Sequence, residues 1–550
     1  MDGGAVRRDR RANAPRLRAT NKYGPKAVGD ANSRRRRRPL GPPKRADCGK
    51  HSAAKLDGRP PSLGFRPVRR RTPAVAAAAH QERIMTLVHA GRASSWLRSD
   101  QSLSNRDDFV DGVESLLSTV ERNGIEIVRF LWVDHNGVLR GKGVAREALA
   151  GRLRSGVGLS TVRQSASLLD LAQPCPGFEV MDEVRITAVP STFTLLSYAP
   201  GSAAVLCDLL TRDGAPWGAC PRTFLRDAVD RAAHLGFDVV AAFEPEFTLL
   251  RDEALLDDGL MMDSEAFDVT NDYVVALIRA LRTTGMTVEQ YHPEASPGQH
   301  ELTVRPAPAL RAADNHVWQR AFTRGVARER GLRATFAPVP MPGLRGNGNH
   351  VHLSLWRDGN AFAAPTGGLS DVAHHFIAGV LAHLPGLTAL LCASVNSYER
   401  LIRGNWAGAF GCYGPDNRDA AIRVPSALQG DEIGTTNVEV KPCDATANPY
   451  LALGAIVYAG MDGVERRLDP GVPLTADPNG LSDAELRRRG VTTLPRSLAE
   501  AVDALERDEF LMSVLGSPRR ELYTTIKRAD VRDMARMDSD SVFALHAKRF

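Results

Sequence analysis

The sequence predicts an α+β protein in which a small β-rich domain precedes a larger domain of alternating strands and helices. Apolar residues at helical spacing in Phe109–Thr119 come before strand-like segments at 125–133, 138–144, 184–196 and 203–210. The segment 212–216 contains Gly214 and Pro216, which is typical of a domain boundary. Beyond this boundary, short apolar strands alternate with helical patterns at 223–234, 274–284, 372–382 and 498–506.

With 550 residues, the chain is long enough for two or more domains with a sizeable core. We expect an N-terminal domain at 105–213, a larger domain at 214–550, and a disordered Arg-rich extension at 1–88. Residues 1–84 carry 23 basic and six acidic residues, a net charge of +17, so the remainder carries −10 against the total of +7. A basic extension fits an arm for nucleic acid or a membrane surface. We favour the alternative that translation begins at Met85, so that the residues before it are not a functional arm.

The composition excludes several classes of protein. The seven cysteines are scattered without a Cys-x-x-Cys pair, which favours a reducing cytoplasm over a disulfide framework. No apolar core of a secretory signal follows the early charges, and no stretch approaches the roughly 20 apolar residues of a membrane span. We therefore expect a cytoplasmic protein that binds no membrane and no specific nucleic acid.

Two carboxylates lie in an apolar segment, Val239–Leu250, that has the length of a buried strand. Glu244 and Glu246 are two residues apart, so on a strand both point to the same face. Burying two like charges side by side is costly unless a cation lies between them. The alternative is an exposed strand with two solvated acids.

Three later segments favour the cation. Glu294 and Glu301 lie on either side of a Pro-Gly turn, and two histidines, His350 and His352, follow a Gly-rich approach on one strand face. Further along, Glu439 and Lys441 alternate with apolar neighbours. Carboxylate oxygens with one imidazole suit magnesium or manganese better than zinc. The sequence thus predicts a divalent-metal site on a sheet.

In order and in approximate spacing, these segments resemble the glutamine synthetase superfamily of type I. The resemblance continues through Asn396–Leu401, Asn417–Pro425, Ala447–Ala452, Ala459–Gly463 and Leu494–Leu498. It runs from about Ile125 to the C-terminus and is strongest from Cys220 onward. It implies an N-terminal β-grasp domain, followed by a catalytic domain with a curved antiparallel sheet and helices behind it.

The resemblance also implies an activity. Family enzymes use ATP and two Mg²⁺ or Mn²⁺ ions to convert the γ-carboxylate of glutamate into an acyl phosphate, which an amine or ammonium attacks. By motif, the first metal is implied to bind Glu246, Glu294 and Glu301, and the second, beside the ATP phosphates, Glu244, His350 and Glu439. The family assembles as two stacked hexamers with active sites between subunits, so a homododecamer is expected.

Other site residues follow from the same motifs. Arg400 resembles the arginine that binds glutamate, while Arg418 and Arg423 resemble those that bind ATP phosphate and the charge that develops on it. The remaining implied contacts are His352 and Ser354 near ATP, the Gly346 backbone at the amino acid, and Lys441 where an arginine is usual.

The departures from the family pattern concern the amine. Trp406 stands where glutamine synthetases have the glutamate that binds and deprotonates ammonium, and the Asp-Gly-Ser-Ser segment of the ammonium site is missing from Gly156–Ser165. Arg345 replaces an asparagine beside the amino-acid site, and Val339 replaces a lysine. An indole cannot accept a proton, but its face can bind a cationic or apolar amine.

These departures favour a γ-glutamyl ligase for an organic amine such as a polyamine, ethanolamine or an alkylamine. Trp406 would then form part of the substrate site. Two alternatives remain: glutamine synthesis through a reorganised ammonium site, and a non-catalytic assembly protein. The complete set of metal ligands argues against the last.

Overall fold

The computed structural model describes residues 106–550, with side chains from Val110 onward. The expectations for the extension at 1–88 and for a start at Met85 lie outside the described residues. Within them, the expected α+β class is confirmed, because two sheets are combined with packed helices.

The N-terminal part is a six-stranded mixed sheet in the order β2-β1-β6-β4-β3, with β5 paired to β6. Its strands are β1 Ile127–Val133, β2 Leu139–Ala145, β3 Val157–Ser160, β4 Glu183–Ala188, β5 Thr194–Leu195 and β6 Ser202–Leu210, and its helices are α1 Arg106–Arg122 and α2 Arg146–Ser155. Strands β1 and β2 form the predicted antiparallel hairpin, and β1 runs parallel to β6. Every second residue of β1, namely Val128, Phe130 and Trp132, is buried in the core of this part.

The prediction of one strand at 184–196 is wrong. Strand β4 ends at Ala188, and a 3-10 turn at Pro190–Thr192 separates it from β5. Proline has no N–H to donate to a sheet, so Pro190 ends the strand although its neighbours are apolar.

The larger part has an eleven-stranded sheet in the order β17-β14-β15-β16-β13-β7-β10-β9, with β8, β11 and β12 also paired to β7. Its strands are β7 Asp238–Arg251, β8 Ala254–Leu255, β9 Val288–Pro293, β10 Gln299–Val304, β11 Ala307–Pro308, β12 Arg333–Thr335, β13 Asn349–Trp356, β14 Phe410–Pro415, β15 Ala420–Val424, β16 Val438–Val440 and β17 Thr492–Thr493. Its pairs are antiparallel apart from β14 and β15, which run parallel. The long strand β7 therefore organises this sheet.

Helices pack around this sheet and contribute most of the core. They are α3 Pro221–His234, α4 Ser264–Arg282, α5 Ala309–Glu329, α6 Asp371–Leu391, α7 Ser397–Arg400, α8 Glu432–Thr435, α9 Pro449–Arg466, α10 Asp483–Arg488, α11 Leu498–Arg507, α12 Glu509–Leu515, α13 Arg519–Met534 and α14 Ser539–Arg549. Helices α6 and α9 touch through glycine, because a Cβ on Gly379 would lie 2.1 Å from the carbonyl oxygen of Ala459. Contrary to the sequence expectation, α6 is long and apolar enough to span a membrane; 72% of its apolar window is buried inside the protein, as in a core helix.

The tip of the β1–β2 hairpin is anchored to the larger part of the structure. The side chain of Asn448 donates to the carbonyl oxygens of Asp134 (2.9 Å) and Val133 (3.3 Å). Its amide oxygen accepts from the backbone N–H groups of Tyr450 and Leu451, so the same residue caps α9. One buried asparagine thus connects the hairpin to a central helix.

We expect Asn448→Ala to lower the free energy of unfolding by about 2–4 kcal/mol, because it removes a helix cap and the buried side-chain donor that joins α9 to two hairpin carbonyls. Urea denaturation measures the change. Asp263→Ala is the matched control, since Asp263 caps α4 through a single bond to the Glu265 N–H at an exposed site, and we expect a loss near ~1 kcal/mol there. Equal losses in the two variants would contradict the anchoring role.

Candidate active site

The sheet register places the predicted acidic and histidine residues opposite one another. In β7, Glu244 pairs with His350 of β13, and Glu246 pairs with Glu301 of β10. On the next strand, Glu439 pairs with His352. Directly opposed residues in antiparallel strands have Cβ atoms about 4.5–5.5 Å apart, so their side chains meet on one face. Four strands thus bring residues from distant parts of the sequence into one site.

The first cluster consists of Glu244, His350 and Glu439, whose possible ligand atoms all lie within 4.8 Å of one another. His350 Nδ1 is 3.3 Å from a carboxylate oxygen of Glu439. These are the three residues that the sequence assigned to the second metal. Beside them, His352 Nε2 lies 3.0 Å from Glu244, and its Nδ1 bonds Asn437 Oδ1 at 2.9 Å.

The second cluster consists of His292, Glu294 and Glu301, again with ligand atoms within 4.8 Å. Glu294 and Glu301 were assigned to the first metal, but His292 was not foreseen. Its Nε2 lies 2.9 Å from Glu294. The available signal was the spacing of His292 and Glu294, which are two residues apart in the segment before the Pro-Gly turn.

The third residue assigned to the first metal, Glu246, lies outside this cluster. One of its oxygens accepts hydrogen bonds from the Gln299 side chain (2.6 Å) and from the Gly348 N–H (2.9 Å). The other oxygen is 3.9 Å from His350 Nε2. Glu246 therefore stands between the two clusters, held by donors of the protein.

Negative charge is in excess at the second cluster and at the neighbouring Glu246. Burial, followed by the charge of Glu294, raises the pKa of Glu246 to about 7. Burial, followed by the charges of Glu244 and Glu246, raises the pKa of Glu301 well above its usual range. A divalent cation would relieve this repulsion, and the donor set of carboxylate oxygens with an imidazole fits magnesium or manganese.

The charge balance is opposite around Glu439. Its carboxylate accepts from Lys441 Nζ (3.1 Å) and from Arg423 Nη1 (2.9 Å). Burial would raise the pKa of Glu439, but the charge of Lys441, followed by that of His352, outweighs it and lowers the pKa. Burial, followed by Lys441, lowers the pKa of His350 well below its usual value, so its imidazole is neutral and can act as a metal ligand. Burial opposes protonation of His352, yet Glu244 raises its pKa to about 9.

Arg400 lies at the centre of the site. It is buried, and its guanidinium donates to the carbonyl of Cys443 (3.2 Å) and to His350 Nε2 (3.1 Å). A Cβ on Gly348 would lie within 2.6–2.9 Å of Arg400, Glu246 and His350, so a larger residue would displace the ends of these three site side chains. The Gly-rich approach noted in the sequence is thus required by close packing.

The other predicted residues are distributed around this centre. Arg418 is exposed on the turn before β15. Ser354 is buried and accepts from the Trp356 indole N–H (3.0 Å). Gly346 has a φ of +90°, and its carbonyl accepts from Gln299 at 2.7 Å. Gln299, which the sequence did not single out, therefore links Gly346 to Glu246.

Trp406 lies on a turn at the mouth of the site and is 44% exposed. The guanidinium carbon of Arg345 stands 5.4 Å from the centre of the indole ring. Asn405 fixes the turn, because its side chain donates to the carbonyls of Arg345 (2.7 Å) and Arg400 (3.1 Å). Beside the turn lies Asp419, also missed by sequence reasoning, a buried carboxylate that accepts from Asn479 at 2.8 Å.

Comparison with known proteins agrees with this architecture. The family model described as glutamine synthetase, catalytic domain, matches residues 218–544, and that of the glutamine synthetase N-terminal domain matches residues 112–217. A gamma-glutamylpolyamine synthetase, GlnA3 of Streptomyces coelicolor, is 34% identical over 82% of this chain and 99% of its own length. The glutamine synthetase of Methanocaldococcus jannaschii is 33% identical over 76% of this chain and 95% of its own.

Solved structures give the same result. A crystal structure described as a novel glutamine synthase homolog superposes with a TM-score of 0.70 at 34% identity, covering 78% of this chain and 99% of that one. A GmaS/ADP complex superposes with a TM-score of 0.69 at 30% identity, and the match covers 78% of this chain and 97% of that one. On these matches and on the site geometry, the chain belongs to the glutamine synthetase family of ATP-dependent ligases.

Proposed function

We propose that this enzyme is a γ-glutamyl-amine ligase. ATP transfers its γ-phosphoryl group to the γ-carboxylate of glutamate, and an organic amine then attacks the acyl phosphate. The new C–N bond forms as the C–O bond to phosphate breaks, and the amine nitrogen loses one proton. The observation that carries the proposal is Trp406, an indole at the mouth of the site where the family resemblance predicts a proton-accepting glutamate.

Activation of the acid needs charge neutralisation and positioning more than covalent help from the protein. We assign Glu246, Glu294 and Glu301 to a first metal and add His292, which lies in one cluster with Glu294 and Glu301. We assign Glu244, His350 and Glu439 to a second. When bound, two Mg²⁺ or Mn²⁺ ions would neutralise the phosphate oxygens during transfer.

The basic residues would bind the anionic substrates. Arg400, buried beside His350, would bind glutamate, and Arg423 would hold Glu439 and contact phosphate. The exposed guanidinium of Arg418 is available to the nucleotide from its turn. Guanidinium groups suit this task because they present several donors in a fixed plane to carboxylate and phosphate oxygens. His352, Ser354, Lys441 and the Gly346 backbone complete the proposed nucleotide and amino-acid contacts.

Trp406 would select the amine. Its indole offers one N–H donor and a large apolar face, so it can contact a carbon chain but cannot take a proton from ammonium. The similarity to a gamma-glutamylpolyamine synthetase supports an organic amine. Similarity at nearly the same identity to several glutamine synthetases keeps ammonium as the second candidate.

We further propose a cytoplasmic dodecamer of two stacked hexamers. The six cysteines in the described part of the chain are free and buried, which supports a reducing compartment. Exposed apolar residues follow Gly156–Ser165, the segment that would border the active site of a neighbouring subunit: Leu171, Val180 and Met181 are 56–87% exposed. Such residues are more typical of a subunit interface than of free surface.

We expect Glu246→Ala and Glu294→Ala to lower turnover at least about 100-fold while the protein remains folded, because each removes an oxygen donor from the first metal. ADP release at saturating Mg²⁺ and Mn²⁺ measures the effect. Glu289→Ala is the control, since Glu289 lies on the same strand as His292 but pairs with Arg305 at the surface. Near-normal turnover in either site variant would remove the metal assignment.

The raised pKa of Glu246 predicts a pH-dependent stabilisation by metal. Its carboxyl group keeps its proton up to about pH 7 in the folded protein, but only to about 4.5 when unfolded. The contribution of Glu246 to the free energy of unfolding of the metal-free protein therefore falls as pH rises from about 4.5 to 7, by on the order of 3 kcal/mol. Metal binds the charged form, so Mn²⁺ should raise the melting temperature more at about pH 8 than at about pH 5.5. An equal rise at both pH values would contradict the assignment, and the difference between the metal-free profiles of the wild type and Glu246→Gln should show the contribution of Glu246.

For substrate choice, we expect kcat/KM for at least one organic amine to exceed that for ammonium by about tenfold or more. Trp406→Glu should shift the preference toward ammonium, because it introduces a proton acceptor. Trp406→Phe should preserve the preference, since it retains an apolar face. A coupled ATP-hydrolysis assay over a panel of amines measures both, and a wild-type enzyme that uses ammonium best would replace this proposal with glutamine synthesis.

A further inference from the structure

Two loops meet at the mouth of the site through one pair of side chains. Arg345 comes from the loop that leads into β13, and Trp406 from the turn before β14. The guanidinium lies over the indole face at 5.4 Å from the ring centre, within the range of a cation–π contact. Asn405 donates to the Arg345 carbonyl at 2.7 Å and so ties the two loops together. The indole face expected to bind the amine is therefore already covered by a cation.

The charge of Arg345 is not neutralised. Arg345 is exposed, and within residues 110–550 no carboxylate lies within salt-bridge distance of its guanidinium. Its neighbour on the Trp406 turn, Arg403, differs in this respect because it pairs with Asp483 at 2.8 Å. The mouth therefore carries one free positive charge and one compensated positive charge.

The free charge lies next to the acid site. Arg345 is bonded in sequence to Gly346, whose carbonyl is held by Gln299, and Gln299 also holds Glu246. The side chain of Asn405, which accompanies Trp406, also donates to the carbonyl of Arg400. The Arg345 guanidinium therefore stands beside the Trp406 face at which the proposed amine would bind.

We propose that Arg345 determines the class of amine, favouring amines with an uncharged or carboxylate-bearing tail over amines whose tail is a second cation. This inference rests on the proposed amine-ligase function. A cationic tail must displace Arg345 from the indole face or remain close to it, and both are opposed by like-charge repulsion. A carboxylate tail can accept two hydrogen bonds from the guanidinium while the indole supports its carbon chain.

Three amines of equal chain length isolate the tail charge: 1,3-diaminopropane, propylamine and β-alanine. We expect wild-type kcat/KM to be lowest for diaminopropane. Arg345→Gln should raise kcat/KM for diaminopropane relative to propylamine by about fivefold and lower that for β-alanine by a similar factor. For each amine, kcat/KM of the variant is divided by kcat/KM of the wild type. This ratio removes the differences in intrinsic reactivity between the amines.

Two control variants separate charge from structure. Arg403→Gln removes the same charge from the same turn, but that charge is already neutralised by Asp483, so the order of the three amines should not change. Arg345→Lys keeps the charge and should keep the wild-type order. In addition, salt should reduce the differences in the wild type and not in Arg345→Gln.

The outcomes distinguish the two proposals. A wild-type enzyme that prefers diaminopropane, or an Arg345→Gln variant with unchanged ratios, overturns the role of Arg345 and leaves the amine ligase standing. An enzyme that uses ammonium far better than all three amines overturns the amine ligase and the role of Arg345 with it.

Discussion

The structure depends on the convergence of carboxylates on one face of a sheet. Four of these carboxylates lie on strands β7, β10 and β16: Glu244, Glu246, Glu301 and Glu439. The fifth, Glu294, follows directly after the end of β9. Isolated charges of one sign in a buried site are costly, because water no longer screens them. The sheet can hold this arrangement only with positive charge nearby, and the remaining features of the site supply or make room for that charge.

The positive charge that compensates these carboxylates is unevenly distributed over this face of the sheet. Around Glu439 the chain provides Arg423 and Lys441, so the carboxylate stays ionised and well bonded. Around Glu246 and Glu301 the protein provides mainly neutral donors, and their pKa values rise. This difference explains why the second cluster is the region where cation binding should most strongly affect stability. It also explains the glycine at 348, since any side chain there would fill the space between Arg400, Glu246 and His350.

Much of this site could be predicted from the sequence, because the geometry of strands is regular. Residues two apart on a strand share a face, so the spacing alone placed Glu244 with Glu246 and His350 with His352. The Pro-Gly turn likewise placed Glu294 near Glu301. Helices and strands with clear periodicity were located correctly, whereas the run at 184–196 was not, because Pro190 interrupts an otherwise continuous apolar pattern.

Features that depend on tertiary packing could not be predicted in this way. For His292, the spacing from Glu294 was the available local signal, but such a spacing does not by itself distinguish a metal ligand from a core residue. The stacking of Arg345 on Trp406 requires two loops that are distant in sequence to meet, and no pattern within either loop encodes that meeting. The sequence showed that both residues depart from the family pattern. It did not show that their side chains are in contact, or that this contact bears on the choice of amine.

If the carboxylate face binds two divalent cations, the number of bound ions can be counted. Equilibrium binding of Mn²⁺ to the purified protein, followed by electron paramagnetic resonance of the free ion, measures this number. We expect two Mn²⁺ per chain in the wild type and one in Glu439→Gln, because only the cluster of Glu244, His350 and Glu439 is altered. No binding by the wild type, or a stoichiometry of two retained in Glu439→Gln, would contradict it.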